Sequence, residues 1–182
     1  LIATIASEAV KQWSGRVIVL AHVKELLEQN AAALLRVCPD LDVGIYSASL
    51  GMRHTGNSVV VAGIQSVAKK AEAFGRRDLI LIDEAHLITP SGDGQYRTFI
   101  QDLVGLNPHC RVIGLTATPY RMSTGMICGP DNILNSICYR VGVRALIAQG
   151  FLSKLLSKRG LNLDFSGLHV ERGEFVSAEA DK

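Results

Sequence analysis

Short uninterrupted apolar runs alternate along the chain with longer stretches in which apolar residues recur every three or four positions. The runs are Arg16–Leu20, Ser58–Ala62, Asp78–Ile82 and Val112–Leu115. Their length and continuity suit strands buried on both faces. Val43–Tyr46 is a shorter strand candidate. The longer stretches read as helices. Ile2, Ile5, Ala6, Ala9, Val10 and Trp13 share one helical face over residues 2–13, and Leu27, Ala31, Leu34 and Leu35 do so between Lys24 and Arg36. Tyr96, Phe99, Ile100, Leu103 and Val104 form a third stripe over Gln95–Leu106. Further helices are expected from about Ile64 and from Val141 to Phe151, the latter on Val143, Leu146 and Ile147. Ser47–Asn57 and Arg121–Asn135, with their glycines, read as loops. Strands alternating with helices of this length predict an α/β fold, a mostly parallel sheet flanked by helices.

Composition narrows the class without changing that picture. At 182 residues the chain suits one sizeable domain, and 48% hydrophobic with 20% charged residues is ordinary for a packed core. No apolar run approaches the roughly 18 residues of a membrane span, and the amino terminus lacks the pattern of a signal peptide. A cytoplasmic location is the expectation. A net charge of +2 neither argues for nor excludes a nucleic-acid partner, because a sum over the chain hides local stripes. Cys38, Cys110, Cys128 and Cys138 form no CxxC pair and no zinc-like spacing with histidines, so reduced, mostly buried thiols are expected.

In open parallel sheets ligands bind at the carboxyl ends of the strands, so the residues that follow each run carry the functional signal. They are Ala21-His22-Val23-Lys24, Gly63-Ile64-Gln65-Ser66, Asp83-Glu84-Ala85-His86 and Thr116-Ala117-Thr118-Pro119. The sharpest is the third. Apolar residues deliver two adjacent carboxylates to a strand tip, where in phosphoryl transfer one can hold Mg²⁺ through water and the other orient the attacking water. Asp83 is the candidate for the metal and Glu84 for the water, with Glu84 a further contributor to the metal site. Alone, an Asp-Glu pair is as well explained by a solvated acidic turn.

Asp83-Glu84-Ala85-His86 resembles motif II of superfamily 2 helicases, and Gly114–Arg121 (GLTATPYR) resembles their motif III; thirty-three positions separate Asp83 from Thr116. Val17–Asn30 (VIVLAHVKELLEQN) resembles motif Ia and Ala62–Val67 (AGIQSV) motif Ib, all in the family's order. Within the superfamily the likeness is to bacterial RadD-type ATPases of DNA repair and to restriction-enzyme translocase subunits, on AHVKEL at 21–26, IQSVAK at 64–69, NPHCR at 107–111, LTATPYR at 115–121 and LDFSGL at 163–168. The resemblance implies a first RecA-like domain over residues 1–160 and a segment, 161–182, leading toward a second. It implies ATP and Mg²⁺ as cofactors, and DNA (or RNA), gripped by its backbone, as partner together with the second RecA-like domain. Asp83 and Glu84 would serve catalysis and metal binding. His86 would sense the γ-phosphate or the partner domain, and Thr116 and Thr118 would bond toward the DEAH segment and couple hydrolysis to domain closure. His22, Lys24, Gln65 and Ser66 would contact the nucleic acid. The family often has arginine where this chain has Val23.

A phosphate-binding loop of the form G-x-x-x-x-G-K-[ST] is absent from the sequence. Leu1–Ala6 (LIATIA) resembles the helix that follows that loop, so the expectation is that the chain starts just beyond it. Two alternatives stay open at this level. One is the motor subunit of a restriction system, and the other a RecA-like module that binds nucleic acid or protein without catalysis.

Overall fold

The computed structural model describes residues 1–89, 94–122 and 125–154, and the backbone of 170–171 and 174–175. The apolar runs do become strands. In chain order the elements are α1 (Ile2–Trp13), β1 (Val17–Ala21), α2 (Lys24–Val37), β2 (Val43–Ser47), β3 (Met52–Arg53) and β4 (Val59–Gly63). They continue with α3 (Ile64–Val67), β5 (Leu79–Asp83), α4 (Gln95–Leu106) and β6 (Arg111–Leu115). A short hairpin, β7 (Tyr120–Arg121) with β8 (Gly125–Met126), follows.

One six-stranded sheet has the order β3-β2-β4-β1-β5-β6. All its pairings are parallel except that of β3, which returns antiparallel along β2. β3 departs from the loop expected over 47–57. Its pairing is confined to Tyr46 with Arg53 and Ser47 with Met52, too short to leave a hydrophobic signature.

Each central strand is buried on both faces, and its successive side chains divide strictly between two cores. Val17, Val19, Val59, Val61, Leu79 and Leu81 pack with Ile2, Ala6, Leu27, Ala31 and Leu34 of α1 and α2. Ile18, Leu20, Val60, Ala62, Ile80 and Ile82 pack on the opposite face with Phe74, Phe99, Ile100 and Leu103. Phe74 and Phe99 meet edge to face, centroids 5.7 Å apart, which joins the 3-10 turn Ala71–Phe74 to α4. The helix expected from Ile64 is a single turn followed by that 3-10 turn.

Two stripe residues of α1 and α2 do not join the core. Trp13 is 73% exposed and Leu35 is 45% exposed. Trp13 is the last residue of α1, which ends as Ser14 adopts a left-handed conformation (φ 50°) and Gly15 N donates to Ala9 O. Leu35 sits one position round the helix from Leu34, which takes the buried place.

At the amino edge of the sheet lies a charge that no sequence pattern announced. Arg77 is completely buried. Its guanidinium donates to five backbone carbonyls, those of Phe74, Val17, Asn57, Ser58 and Thr55. Burial pushes its pKa down to about 10, still far above neutrality. Beside it, Asp78 accepts from Arg16 N (2.9 Å) and from Asn107 Nδ2 (3.1 Å). Asn107 also donates to Arg77 O, so the asparagine of the NPHCR segment ties α4's end to the same edge.

Contacts divide the chain into two units, Leu1–Ser136 and Ile137–Lys182. In the second, α5 (Val143–Ala148) is shorter than the 141–151 helix expected and buries none of its residues. Two backbone segments, Val170–Glu171 and Glu174–Phe175, pair antiparallel there. The LDFSGL stretch at 163–168 lies outside the described residues. Cys38 and Cys110 are buried and Cys138 is exposed, so the last departs from the buried-thiol expectation. Among the described residues no helix is long and apolar enough to cross a membrane.

Candidate functional site

Parallel pairing puts the ends of four strands in one row. Ala21 pairs with Gly63, Leu20 with Ile82, and Asp83 with Leu115. The next residue on each strand therefore lies side by side with its neighbours, in the order Ile64, His22, Glu84, Thr116. At a strand spacing of about 4.8 Å the row spans roughly 14 Å. The four sequence motifs are brought to one edge by this register and nothing else.

Asp83 ends β5 half-buried, and its Oδ2 accepts from Asn30 Nδ2 of α2 at 3.0 Å. Fixing one oxygen through a neutral donor leaves the other for a cation or its water. Among the described residues no three His, Cys, Asp or Glu side chains gather at one point. A cation here would be held by Asp83 with water and phosphate oxygens, the manner of Mg²⁺ rather than of Zn²⁺. The donor set fits magnesium.

Glu84 leaves the strand in the left-handed region, φ 55° and ψ 53°. For a residue with a Cβ this costs about 1–2 kcal/mol. The conformation turns the chain at once into the 3-10 turn Ala85–Leu87 and brings His86 back toward the strand tips. His86 Nδ1 lies 3.2 Å from Glu84 Oε2 and 3.0 Å from Thr116 Oγ1. The Thr116 hydroxyl donates to Thr118 O (3.2 Å) and accepts from Thr118 N (3.1 Å). Its single proton is thus committed, and a carboxylate only accepts, so both neighbours require the proton on Nδ1 of His86. That tautomer leaves Nε2 without a proton, able to accept a hydrogen bond. Thr118 itself is exposed and takes part through its backbone.

Gly114 makes the close packing of these turns possible. A Cβ there would stand 2.6 Å from Ala85 Cβ and 2.7 Å from Leu134 Cδ1. Any side chain would push the Asp83–His86 turn away from β6.

The other candidates divide into two kinds. Gln65 is exposed and its Nε2 donates to His22 O (2.9 Å), bridging the loops after β4 and β1. Lys24 is exposed at the first residue of α2, whose amino end has no side-chain cap. Both therefore have polar groups at the surface. Ser66 Oγ is occupied, accepting from Ala48 N (2.8 Å) and pinning the chain after β2. Asn30 has no signal in the sequence, since a mid-helix asparagine reads as surface. Tyr96, buried at the start of α4, reads from the sequence only as core, yet burial and the nearby Asp83 and Glu84 carboxylates push its hydroxyl pKa well up.

With this geometry in hand, similarity to known proteins is informative. The sequence model of the family described as "Type III restriction enzyme, res subunit" matches residues 1–121. IRC3 of Saccharomyces cerevisiae, named as a putative ATP-dependent helicase, is 26% identical over 146 residues, covering 78% of this chain and 20% of that protein. The fold is similar to that of the UvsW helicase from bacteriophage T4 (TM-score 0.53, 21% identity, 67% of this chain and 43% of that one). It is similar also to the Type ISP restriction-modification enzyme LlaGI, solved with a DNA substrate mimic (TM-score 0.55, 17% identity, 81% of this chain and 17% of that one). The chain spans 20% of the length of the curated relative it matches.

Proposed function

The chain belongs to the type III restriction enzyme res subunit family, and from that premise we propose that it is the first motor domain of an ATP-dependent helicase or translocase acting on DNA. The observation that carries this reading is the bonded row at the strand tips. Adjacent parallel strands present Asp83 and Glu84 beside a His86–Thr116 hydrogen bond of 3.0 Å. Fold likeness alone would not suffice, because one fold hosts many functions.

When bound, Mg²⁺ would supply charge that neutralises the phosphates of ATP. Asp83, steadied by Asn30, would hold that ion. Glu84 would accept the proton of the attacking water, its carboxylate set at the strand tip by the left-handed turn. His86 would report on the state of Glu84, since one Nδ1–H is shared between the carboxylate and Thr116; a shift of Glu84 toward water would leave that N–H bonded to Thr116 alone. Lys24 and the free N–H groups at the start of α2 would meet a phosphate of the nucleic-acid backbone, with Gln65 and the His22 loop beside them. Contacts of that kind do not read sequence. The same proposal places a second RecA-like domain across the cleft, the boundary near residue 160, the RNA alternative, a role in DNA repair or restriction, and a cytoplasmic location.

Steady-state phosphate release by the full-length protein, with and without single-stranded DNA, tests the reading. Glu84→Gln should lower turnover by about 100-fold or more while nucleotide still binds. An unchanged kcat in that variant removes Glu84 from the role. Residues 1–182 alone, with no phosphate-binding loop among them, are expected to release no phosphate; robust turnover would overturn that expectation.

A further inference from the structure

A cavity of about 310 Å³ opens beside the row of strand tips, between the loops after β1 and β4 and the start of α4. Its walls include Ile64 and Leu87, and its polar residues are His22, Gln65, Thr89, Gln95 and Tyr96. Three of these residues hold a buried side-chain atom with no hydrogen-bond partner: His22 Nδ1, Thr89 Oγ1 and Tyr96 Oη. Tyr96 is only 7% exposed. Native proteins leave few such groups unanswered, and several around one cavity point to a ligand that answers them.

The chemistry of the lining restricts that ligand. Among the described residues no lysine or arginine lines the cavity, so it is not built for a phosphate. The volume lies at the lower end of the range for ligand pockets, about 300–1,000 Å³, enough for one heteroaromatic ring system and too little for a peptide helix. Two hydroxyls that both donate and accept, with an imidazole nitrogen, suit the mixed donor and acceptor edge of a nucleobase. Ile64 and Leu87 suit its apolar faces.

We propose that this cavity takes in one unstacked base of the bound strand, its edge held by Tyr96, Thr89 and His22. The inference rests on the nucleic-acid motor reading and adds to it a base-sized contact beside backbone contacts that carry no such feature. Tyr96 is kept protonated by burial and by the carboxylates of Asp83 and Glu84, so it remains a donor to the base.

The test uses the full-length protein with a non-hydrolysable ATP analogue and the shortest single-stranded oligonucleotide that binds. One abasic site is moved along the oligonucleotide position by position. Binding should weaken about tenfold at one position and little elsewhere, the scale of losing one base contact. A 2-aminopurine at that position should brighten on binding. In the double variant Tyr96→Phe, Thr89→Val the position dependence and the brightening should vanish. The melting temperature of the variant should stay level or rise, because it removes buried polar atoms that have no partner. A flat abasic scan with binding intact, a scan unchanged in the variant, or a clear fall in its melting temperature overturns the pocket and leaves the motor reading standing. Failure to bind any nucleic acid overturns both.

Discussion

Replacing Arg77 by methionine keeps most of the side chain's volume and deletes its donors, so the change isolates what the buried guanidinium contributes. Five carbonyl groups lose a partner. The firmest bonds are to Asn57 O at 2.8 Å and to Thr55 O. Bonds to a charged donor contribute about 1.5–3 kcal/mol each, so these two alone amount to roughly 3–6 kcal/mol. Against that, methionine avoids the desolvation of a buried cation, an effect of several kcal/mol. Ser58 O also keeps its ladder bond from Val17 N, so not every acceptor is orphaned. The net expectation is a loss of about 2–4 kcal/mol, a large share of a typical total stability of about 5–15 kcal/mol. For a domain of this size that lowers the melting temperature by roughly 5–12 °C. Urea and thermal unfolding followed by circular dichroism measure it, and hydrogen exchange at β1 and β4 amides localises it. Arg77→Lys should recover little, since one ammonium cannot reach five acceptors spread around a planar fork. A methionine variant within about 1 kcal/mol of the parent, outside the named loss, would refute the reasoning.

Glu84→Gly should raise stability by about 1 kcal/mol through relief of the left-handed conformation while abolishing turnover; differential scanning calorimetry beside an ATPase assay checks both. Asn30→Ala removes the donor to Asp83 and should raise the Mg²⁺ concentration for half-maximal ATPase by about 10-fold, the effect of losing an outer partner of a metal ligand; an unchanged magnesium titration would deny Asn30 that role. The Arg16 backbone N–H, with the side chains of Arg76 and Asn107, holds the Asp78 carboxyl below its ordinary value. Its contribution is therefore present above the unfolded-state value of about 3.9 and fades as pH falls through the lower folded-state value. Asp78→Asn should flatten that acid limb in melting temperatures measured between about pH 6 and 2.

Much of this architecture is legible because each doubly buried strand is one continuous apolar run. The boundaries move by one residue for a physical reason. Arg16, Ser58 and Asp78 open the runs but serve the amino edge, whereas Ala21, Gly63 and Asp83 at the far ends join the ladder. The convergence of His22, Ile64, Glu84 and Thr116 follows from the register of parallel strands. What stays hidden depends on contacts distant in sequence. Asn30 meets Asp83 across fifty-three positions. Tyr96 looks like any aromatic on a helical stripe, and an arginine ahead of an apolar run gives no sign that it will be buried. Trp13 and Leu35 show the limit of periodicity: a stripe marks the facing side of a helix, but where the helix ends and which neighbour takes the buried place decide which of its members are covered.

The all-apolar strands also create a problem of alignment. In a half-exposed strand, sliding by one residue turns apolar side chains outward, and that cost fixes the pairing. In VIVLA, VVVAG and LILID both faces are buried, so a slip of one place exchanges one apolar neighbour for another. Selection among offsets must come from polar keys at the strand ends. Arg77 reaching Val17 O and Asn57 O, Asp78 receiving Arg16 N, and Asp42 receiving Ser58 N supply one key each for the β1–β4, β1–β5 and β2–β4 junctions. A mispaired β5 would carry Asp83 and Glu84 about 3.3 Å along the sheet. The His86–Thr116 bond could not survive that displacement, so the far edge of the sheet sets the alignment on which the chemistry at the near edge depends.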